Sequence, residues 1–248
     1  AYRRQRQMCI RDRSGPGCLF GLNADELMDI LDISEYTSYK IVQRMKTMNV
    51  FLKHIYEYEQ KGIRIITKYD EEYPQILVKK MKKNAPTCLF VVGNLPVEFE
   101  GISLTGLQTV TKKEKGCIKR LVDKINNENK WLISNDCKGV DQEAFQYALH
   151  HHGHIISFLC EKMEDKAMEY KRYIRSGNLV LLSAIDPIKR FTVTHAIDRN
   201  SYVCGLSKFQ VVVSSKINSG ATWFTIMHNM HHNWTISLVT VSYTHLRA

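Results

Sequence analysis

Four short apolar runs in this chain end in small polar residues or glycine, and those ends are where chemistry would sit. Residues 102–104 run into Thr105-Gly106, 131–133 into Ser134-Asn135, 180–182 into Ser183, and 211–213 into Ser214-Ser215. Small side chains let backbone amides approach a ligand, and amides at a helix start hold phosphate well. The same residue types are also ordinary turn and cap formers, so no single end decides the matter. Three stretches add charge and glycine. Ser134-Asn135-Asp136-Cys137-Lys138-Gly139-Val140-Asp141 places a lysine and a glycine just before a helical pattern. Arg199-Asn200 precedes Gly205-Leu206-Ser207, and Ser219-Gly220-Ala221-Thr222 opens the next helical pattern. Lys138 and Arg199, with Lys208 as a further cation, would meet a phosphate, while Gly139 and Gly220 would let the backbone approach it.

These residues need a scaffold, and the hydrophobic pattern supplies one. From residue 101 onward short apolar runs alternate with helical segments at 118–125, 141–150 and 221–232, and a last run covers 235–239. Strands buried on both faces read as continuously apolar, and their alternation with helices implies a doubly wound, mostly parallel α/β sheet of Rossmann-like type. Ligands of such sheets sit beyond the carboxyl ends of the strands. Ahead of this core, residues 63–100 read as a connector, with Tyr73-Pro74, Ala85-Pro86 and one short strand at 88–92 before Gly93-Asn94. Residues 14–62 read as a small helical domain of SAM or helix-hairpin-like type. Asn23 and Glu26 form a capping pair there, Ile41, Met45 and Met48 share a helical face, and Gly62 closes the last helix. Such a unit suits DNA binding or a plain adaptor role.

The two ends are set aside. Residues 3–13, RRQRQMCIRDR, and 241–248, VSYTHLRA, read as in-frame translations of transposon-end adapters used to prepare sequencing libraries. On that reading 1–13 and 241–248 are not native, and 14–240 is a piece of a longer protein. Without them the chain loses six positive charges (Arg3, Arg4, Arg6, Arg11, Arg13, Arg247) and one negative (Asp12), so the formal charge falls from +10 to +5. A mildly basic protein remains, compatible with a polyanion partner.

The chain has 248 residues, of which 44% are hydrophobic and 24% charged, as in an ordinary globular protein. No apolar run approaches the ~20 residues needed to cross a bilayer, and no signal peptide is visible. Seven scattered cysteines without a CxxC pair suit reduced cytosolic thiols. Histidines gather at 150–154 and at 228–232, each group near a helix end, with no carboxylate or cysteine completing a metal-ligand spacing, so no metal is expected. Asp141 reads as a helix cap, Glu143 as a first-turn acid, and no catalytic constellation or cofactor motif is legible.

The order of the motifs resembles the DNA-processing protein A (DprA/Smf) family. That family shows a Tyr-Pro connector, a Gly-Ser-Arg turn, and a Ser-Gly-x-Ala-x-Gly-Ile-Asp segment. Arg-Asn-Arg, Gly-Leu-Ser and a Ser-Gly helix start follow. This chain offers Tyr73-Pro74, Ser134 with Lys138-Gly139-Val140-Asp141, Arg199-Asn200, Gly205-Leu206-Ser207 and Ser219-Gly220, in that order. It departs in having Gly106-Leu107-Gln108 for the Gly-Ser-Arg turn, Asn135 for a glycine, Phe145 for a helix histidine, and Ser201 for the second arginine. Thr222 also stands one or two residues early.

The resemblance implies a cytoplasmic, bacterial, non-enzymatic recombination mediator. Such a protein would bind single-stranded DNA, help load the RecA recombinase during DNA uptake and natural transformation, and form a homodimer through its core. The residues expected at DNA or phosphate are Gly106, Gln108, Ser134, Lys138, Gly139, Arg199, Asn200, Ser219 and Gly220. A competing reading is a Rossmann-like nucleotide-binding sensor or a phosphoribohydrolase-like protein, although the glutamate of the latter's glycine-rich loop is missing after Asn218-Ser219-Gly220-Ala221-Thr222. A third is an interaction module that has lost DNA binding, as Gln108 and Asn135 suggest.

Overall fold

The computed structural model describes residues 19–189 and 191–240. The adapter-like stretches 1–13 and 241–248 lie outside the described residues. The chain divides after Gly62 into two compact units.

The first unit holds helices α1 (Ala24–Leu31), α2 (Glu35–Lys46) and α3 (Met48–Gln60). The capping pair forms in full: Asn23 Oδ1 accepts from the Glu26 amide at 2.9 Å, and Glu26 accepts from the Asn23 amide at 3.1 Å. Ser34 caps α2 by accepting from the Thr37 amide. Gly62 follows α3 in the left-handed region, at φ +74°, and its amide donates to Glu59.

The second unit opens with β1 (Arg64–Thr67), α4 (Gln75–Met81) and β2 (Cys88–Val92). The stretch read as a connector therefore contributes two strands and a helix, and the strand at 88–92 has the bounds its apolar run suggests. Tyr73 and Pro86 hold it together, because the fully buried Tyr73 hydroxyl donates to the Pro86 carbonyl at 2.5 Å. Then come β3 (Gly101–Thr105), α5 (Lys112–Asn127), β4 (Trp131–Ser134), α6 (Val140–His150) and β5 (His154–Leu159). They are followed by α7 (Met163–Glu169), α8 (Lys171–Arg175), β6 (Leu179–Ser183), α9 (Val193–Leu206), β7 (Ser207–Val212), α10 (Gly220–His232) and β8 (Ile236–Val239).

The eight strands form one sheet in the order β1-β2-β6-β5-β4-β3-β7-β8. Strands β3 to β8 are mutually parallel, and β2 runs against both of its neighbours. The chain winds outward from β3 to β6 and then returns to β7 on the other side of β3. The switch point lies between β3 and β7, where open α/β sheets leave a crevice. Two helical groups pack on the sheet: α5 with α6, and α9 with α4 and α10.

The core explains the apolar runs. β6 is buried along its whole length, as a central parallel strand should be. Tyr73, Leu77 and Met81 from the α4 region meet Leu89, Ile156, Phe158, Leu182, Val203 and Leu206 in one cluster. Gly205 admits α4 here, since a Cβ at that position would stand 2.6 Å from Met81 Sδ. The Gly205-Leu206-Ser207 motif is thus a packing device at the end of α9, remote from the carboxyl edge of the sheet. Among the described residues no helix is long and apolar enough to cross a membrane.

Candidate nucleic-acid interface

The loops that leave β3, β4 and β7 interlock at the switch point. Gly106 follows β3 directly, and a Cβ there would lie 2.4 Å from Val140 Cγ2 and 3.0 Å from Ser214 Oγ. Only a glycine leaves room for the start of α6 and the end of β7 to close on this loop. Ser214 Oγ then accepts from the Leu107 amide at 3.2 Å, and the Thr222 hydroxyl donates to the Gly106 carbonyl at 2.7 Å. Thr222, early though it stands in the sequence, ties the first turn of α10 to the β3 loop.

Gly139 is the N-cap of α6, with φ +108° and ψ −138°, a conformation that side chains resist. A Cβ there would also meet the Leu107 carbonyl oxygen at 2.3 Å. The Val140 amide donates to that same oxygen, so the β3 loop seats directly on the α6 start.

Asp141 does not cap α6, contrary to the sequence expectation. Its carboxylate turns back to the β4 loop, accepting from Ser134 Oγ at 2.5 Å and from the Asn135 amide at 2.9 Å. The glycine at the cap position sends the helix off at an angle that aims residue 141 inward. Burial pushes the Asp141 carboxyl up to about 6, against the pull of the Ser134 and Asn135 donors and the field of Arg199. Ser134 Oγ also accepts from the Asp136 amide, so the loop 134–136 is pinned from within.

Arg199 lies in α9 rather than in a loop, and it is buried, with 9% of its surface exposed. One guanidinium nitrogen donates to Cys160 Sγ at 3.2 Å, and the other donates to Cys137 Sγ at 3.0 Å and to Asn200 Oδ1 at 3.3 Å. Its Nε has no hydrogen-bond partner among the described residues. Burial raises the Cys137 and Cys160 thiols while Arg199 pulls both down. This cation sits beneath the β4 loop and spends most of its donors inside the protein. Asn200 is tied in as well, accepting from Asn135 Nδ2 at 2.9 Å and donating to Thr225 at 3.3 Å. Asn135, where a glycine is expected, thereby gains a structural partner on α9.

Exposed groups surround this framework. Gln108, Lys138 and Gly139 line a cleft of about 320 Å³ with Lys115, Gln142 and Glu143. Lys115 is paired to Glu143 at 2.6 Å, whereas Lys138 is exposed and has no ion-pair partner among the described residues. Ser219 is the N-cap of α10 without a side-chain capping bond, and Gly220 is exposed with open space where a Cβ would be. Ser219 forms an isolated antiparallel bridge with Lys216, and no side chain caps the first turn of α10.

The structure brings Gly106, Ser134, Gly139 and Asn200 into one bonded network, with Gln108, Lys138, Ser219 and Gly220 on its open side. Arg199 supports that network from below. Lys208 belongs elsewhere: it stands at the amino end of β7, paired to Glu100, on the opposite edge of the sheet. Sequence reasoning missed Cys137 and Cys160 as partners of Arg199, and it missed Thr225. No spacing signals such contacts, because they join residues far apart in the chain. Among the described residues no group of three or more His, Cys, Asp or Glu is placed to hold a metal ion.

Comparison with known proteins agrees with this fold. The chain resembles the DNA processing protein A of Streptococcus pneumoniae, with a TM-score of 0.68 and 19% identity over 90% of this chain and 77% of that one. It also resembles DNA processing protein A of Helicobacter pylori, with a TM-score of 0.58 and 16% identity over 74% of this chain and 84% of that one. The latter structure was described for its single-stranded DNA binding mode. At these identities the likeness establishes the Rossmann-like fold. No match is found among curated proteins. Residues 64–247 match the family of DNA recombination-mediator protein A, so the chain belongs to that family.

Proposed function

We propose that this protein binds single-stranded DNA along the carboxyl edge of its parallel sheet and acts as a recombination mediator. The observation that carries the reading is a row of exposed lysines at that edge. Lys189, Lys162, Lys138 and Lys216 follow β6, β5, β4 and β7 respectively, and all four are exposed. The strands they follow span four strand spacings, about 19 Å, and Lys162 and Lys189 line one cleft together with Glu161, Glu164 and Asp165. A flexible polyanion laid across the strand ends meets this row. Backbone phosphates would rest on Lys138 and at the exposed Ser219 and Gly220, with Gly106, Gln108, Ser134, Gly139, Asn200 and the buried Arg199 shaping the seat. Phosphate contacts of this kind carry no sequence preference, as a general mediator requires.

Family membership supports the same ligand, as does the single-stranded DNA binding of the Helicobacter pylori protein. From the family we further infer a cytoplasmic, non-enzymatic protein that acts as a homodimer and helps load the RecA recombinase during DNA uptake and natural transformation. No cofactor enters this reading.

The test is a titration against a labelled single strand and the matching duplex over a salt series. Preferential single-strand binding that weakens with salt is expected, and Lys138→Ala should weaken it further. A folded sample that binds no single strand would sink the proposal. A second reading, a nucleotide-binding sensor, is favoured by the unbonded Ser219 cap beside the switch point. A nucleotide that raises the melting temperature, without any oligonucleotide affinity, would establish it instead.

A further inference from the structure

We propose that helix α2 of the first unit is a second contact for single-stranded DNA, built from tyrosines and cations on its outer face. Ser38 is fully buried, which fixes the inner side of the helix, and Ile41, Val42 and Met45 fall on that side at helical spacing. Tyr36, Tyr39, Lys40, Gln43 and Arg44 fall opposite. Tyr36 is 69% exposed and Tyr39 54%, so both rings are displayed rather than packed. Lys40 Nζ lies 4.2 Å from the centre of the Tyr36 ring, so ring and cation already share one spot. Tyr36, Lys40 and Arg44 form one stripe in steps of about 6 Å along the helix axis.

Charge selects the occupant. Between Tyr36 and Tyr56 every formal charge is positive, from Lys40, Arg44, Lys46 and Lys53. The acids among the described residues of this unit lie outside that stretch, at Asp25, Glu26, Asp29, Asp32, Glu35, Glu57 and Glu59. Helix α3 displays Phe51 at 58% and Tyr56 at 63% exposed, on different sides of the helix and beside the exposed Val50 and Leu52. On α2 the tyrosines alternate with Lys40 and Arg44, while Lys53 of α3 is paired to Glu57; such a face suits a ligand with aromatic rings and negative charges in alternation, which is a single strand with unstacked bases. Duplex DNA keeps its bases stacked and offers the tyrosines nothing.

The inference rests on the single-strand reading but concerns a different unit, and its test separates the two. The full chain would be photo-cross-linked to a thymidine-rich strand carrying 5-iodouracil, and the adducts mapped by mass spectrometry. Adducts on Tyr36 or Tyr39 are expected. The variant Tyr36→Ala/Tyr39→Ala should lose about fivefold or more in affinity for that strand. Lys40→Gln/Arg44→Gln should flatten the dependence of log affinity on log salt by about 1.4, from about 0.7 per phosphate. These are exposed positions, and unchanged melting curves would show that the variants fold. Adducts confined to the second unit, with both variants binding normally, overturn the inference and leave the sheet-edge reading standing. A folded chain with no adducts and no single-strand affinity overturns both.

Discussion

Ser134 Oγ donates to Asp141 Oδ1 at 2.5 Å, joining the end of β4 to the first turn of α6 through a half-buried carboxyl group. The bond sets the shape of the loop that carries Lys138, and it has a pH dependence. Burial holds the Asp141 carboxyl at about 6 in the folded protein, against 3.8 as its ordinary value. A carboxyl raised on folding favours the folded state when protonated, so this group disfavours folding above pH 6. That penalty disappears as the pH falls through 6 towards 4. At pH 7 it amounts to about 3 kcal/mol. Asp141→Asn should remove the titration, because an amide can face Ser134 while remaining neutral. Urea denaturation between pH 4 and 7 should show this variant less pH-dependent than the parent. An identical profile would place the titration elsewhere.

Much of this architecture was legible in the sequence, and the reason is physical. Strands buried on both faces are apolar along their length, so the runs at 88–92, 102–104, 131–133 and 180–182 announced the antiparallel β2 and the parallel β3, β4 and β6. The Asn23 and Glu26 pair and Gly62 announced a helix start and a helix end, because capping is local chemistry. Helix α4 and strand β1 were not legible. Pro74 and Pro86 read as breakers, yet Tyr73 and Pro86 are joined by a hydrogen bond that spans thirteen residues. The site divided the same way. Lys138, Gly139 and Gly220 sit where strand-end reasoning puts them, whereas Arg199 reads as an open cation and is buried against two thiols. Cys137 and Cys160 reach Arg199 from other strand ends, and only the fold brings them there.

Tyr73 makes that non-local bond measurable. Tyr73→Phe keeps the buried ring and removes the donor, leaving the Pro86 carbonyl without its partner. The expected cost is about 1–2 kcal/mol, read as a lower urea midpoint with an unchanged slope. Single-strand affinity should not change, since this bond lies in the opening segment of the second unit. A variant as stable as the parent would mean that water replaces the hydroxyl.

Gly139→Ala tests the seat of the β3 loop. The added Cβ meets the Leu107 carbonyl oxygen at 2.3 Å in a backbone conformation that alanine resists. Strain of this kind costs about 1–3 kcal/mol, and the clash forces the Leu107 loop away from α6. Lower thermal stability and weaker single-strand binding should appear together. Gly220→Ala should be milder, because it has a positive φ but open space around it. Equal losses at the two glycines would argue against the tight loop contact at Gly139.

Lys138 and Arg199 are both cations near the β4 loop, and their environments make opposite predictions. Lys138 is exposed and has no ion-pair partner among the described residues, so Lys138→Ala should leave stability within about 0.5 kcal/mol of the parent. Its effect should fall on binding, as a salt dependence shallower by about 0.7. Arg199 is buried and donates to Cys137, Cys160 and Asn200, so Arg199→Ala opens a cavity and strips the Cys137 and Cys160 sulfurs of this donor, while Asn200 keeps its bond from Asn135. A loss of about 2–4 kcal/mol in stability is expected, with reduced affinity following from the disturbed loop. Arg199→Lys should recover little of it, since one ammonium on a flexible stem cannot span two sulfurs and an amide as the planar fork does. Paired denaturation and binding curves for the three variants separate the roles. If Arg199→Ala were stable and lost affinity only through its salt dependence, the guanidinium would be reaching phosphate directly.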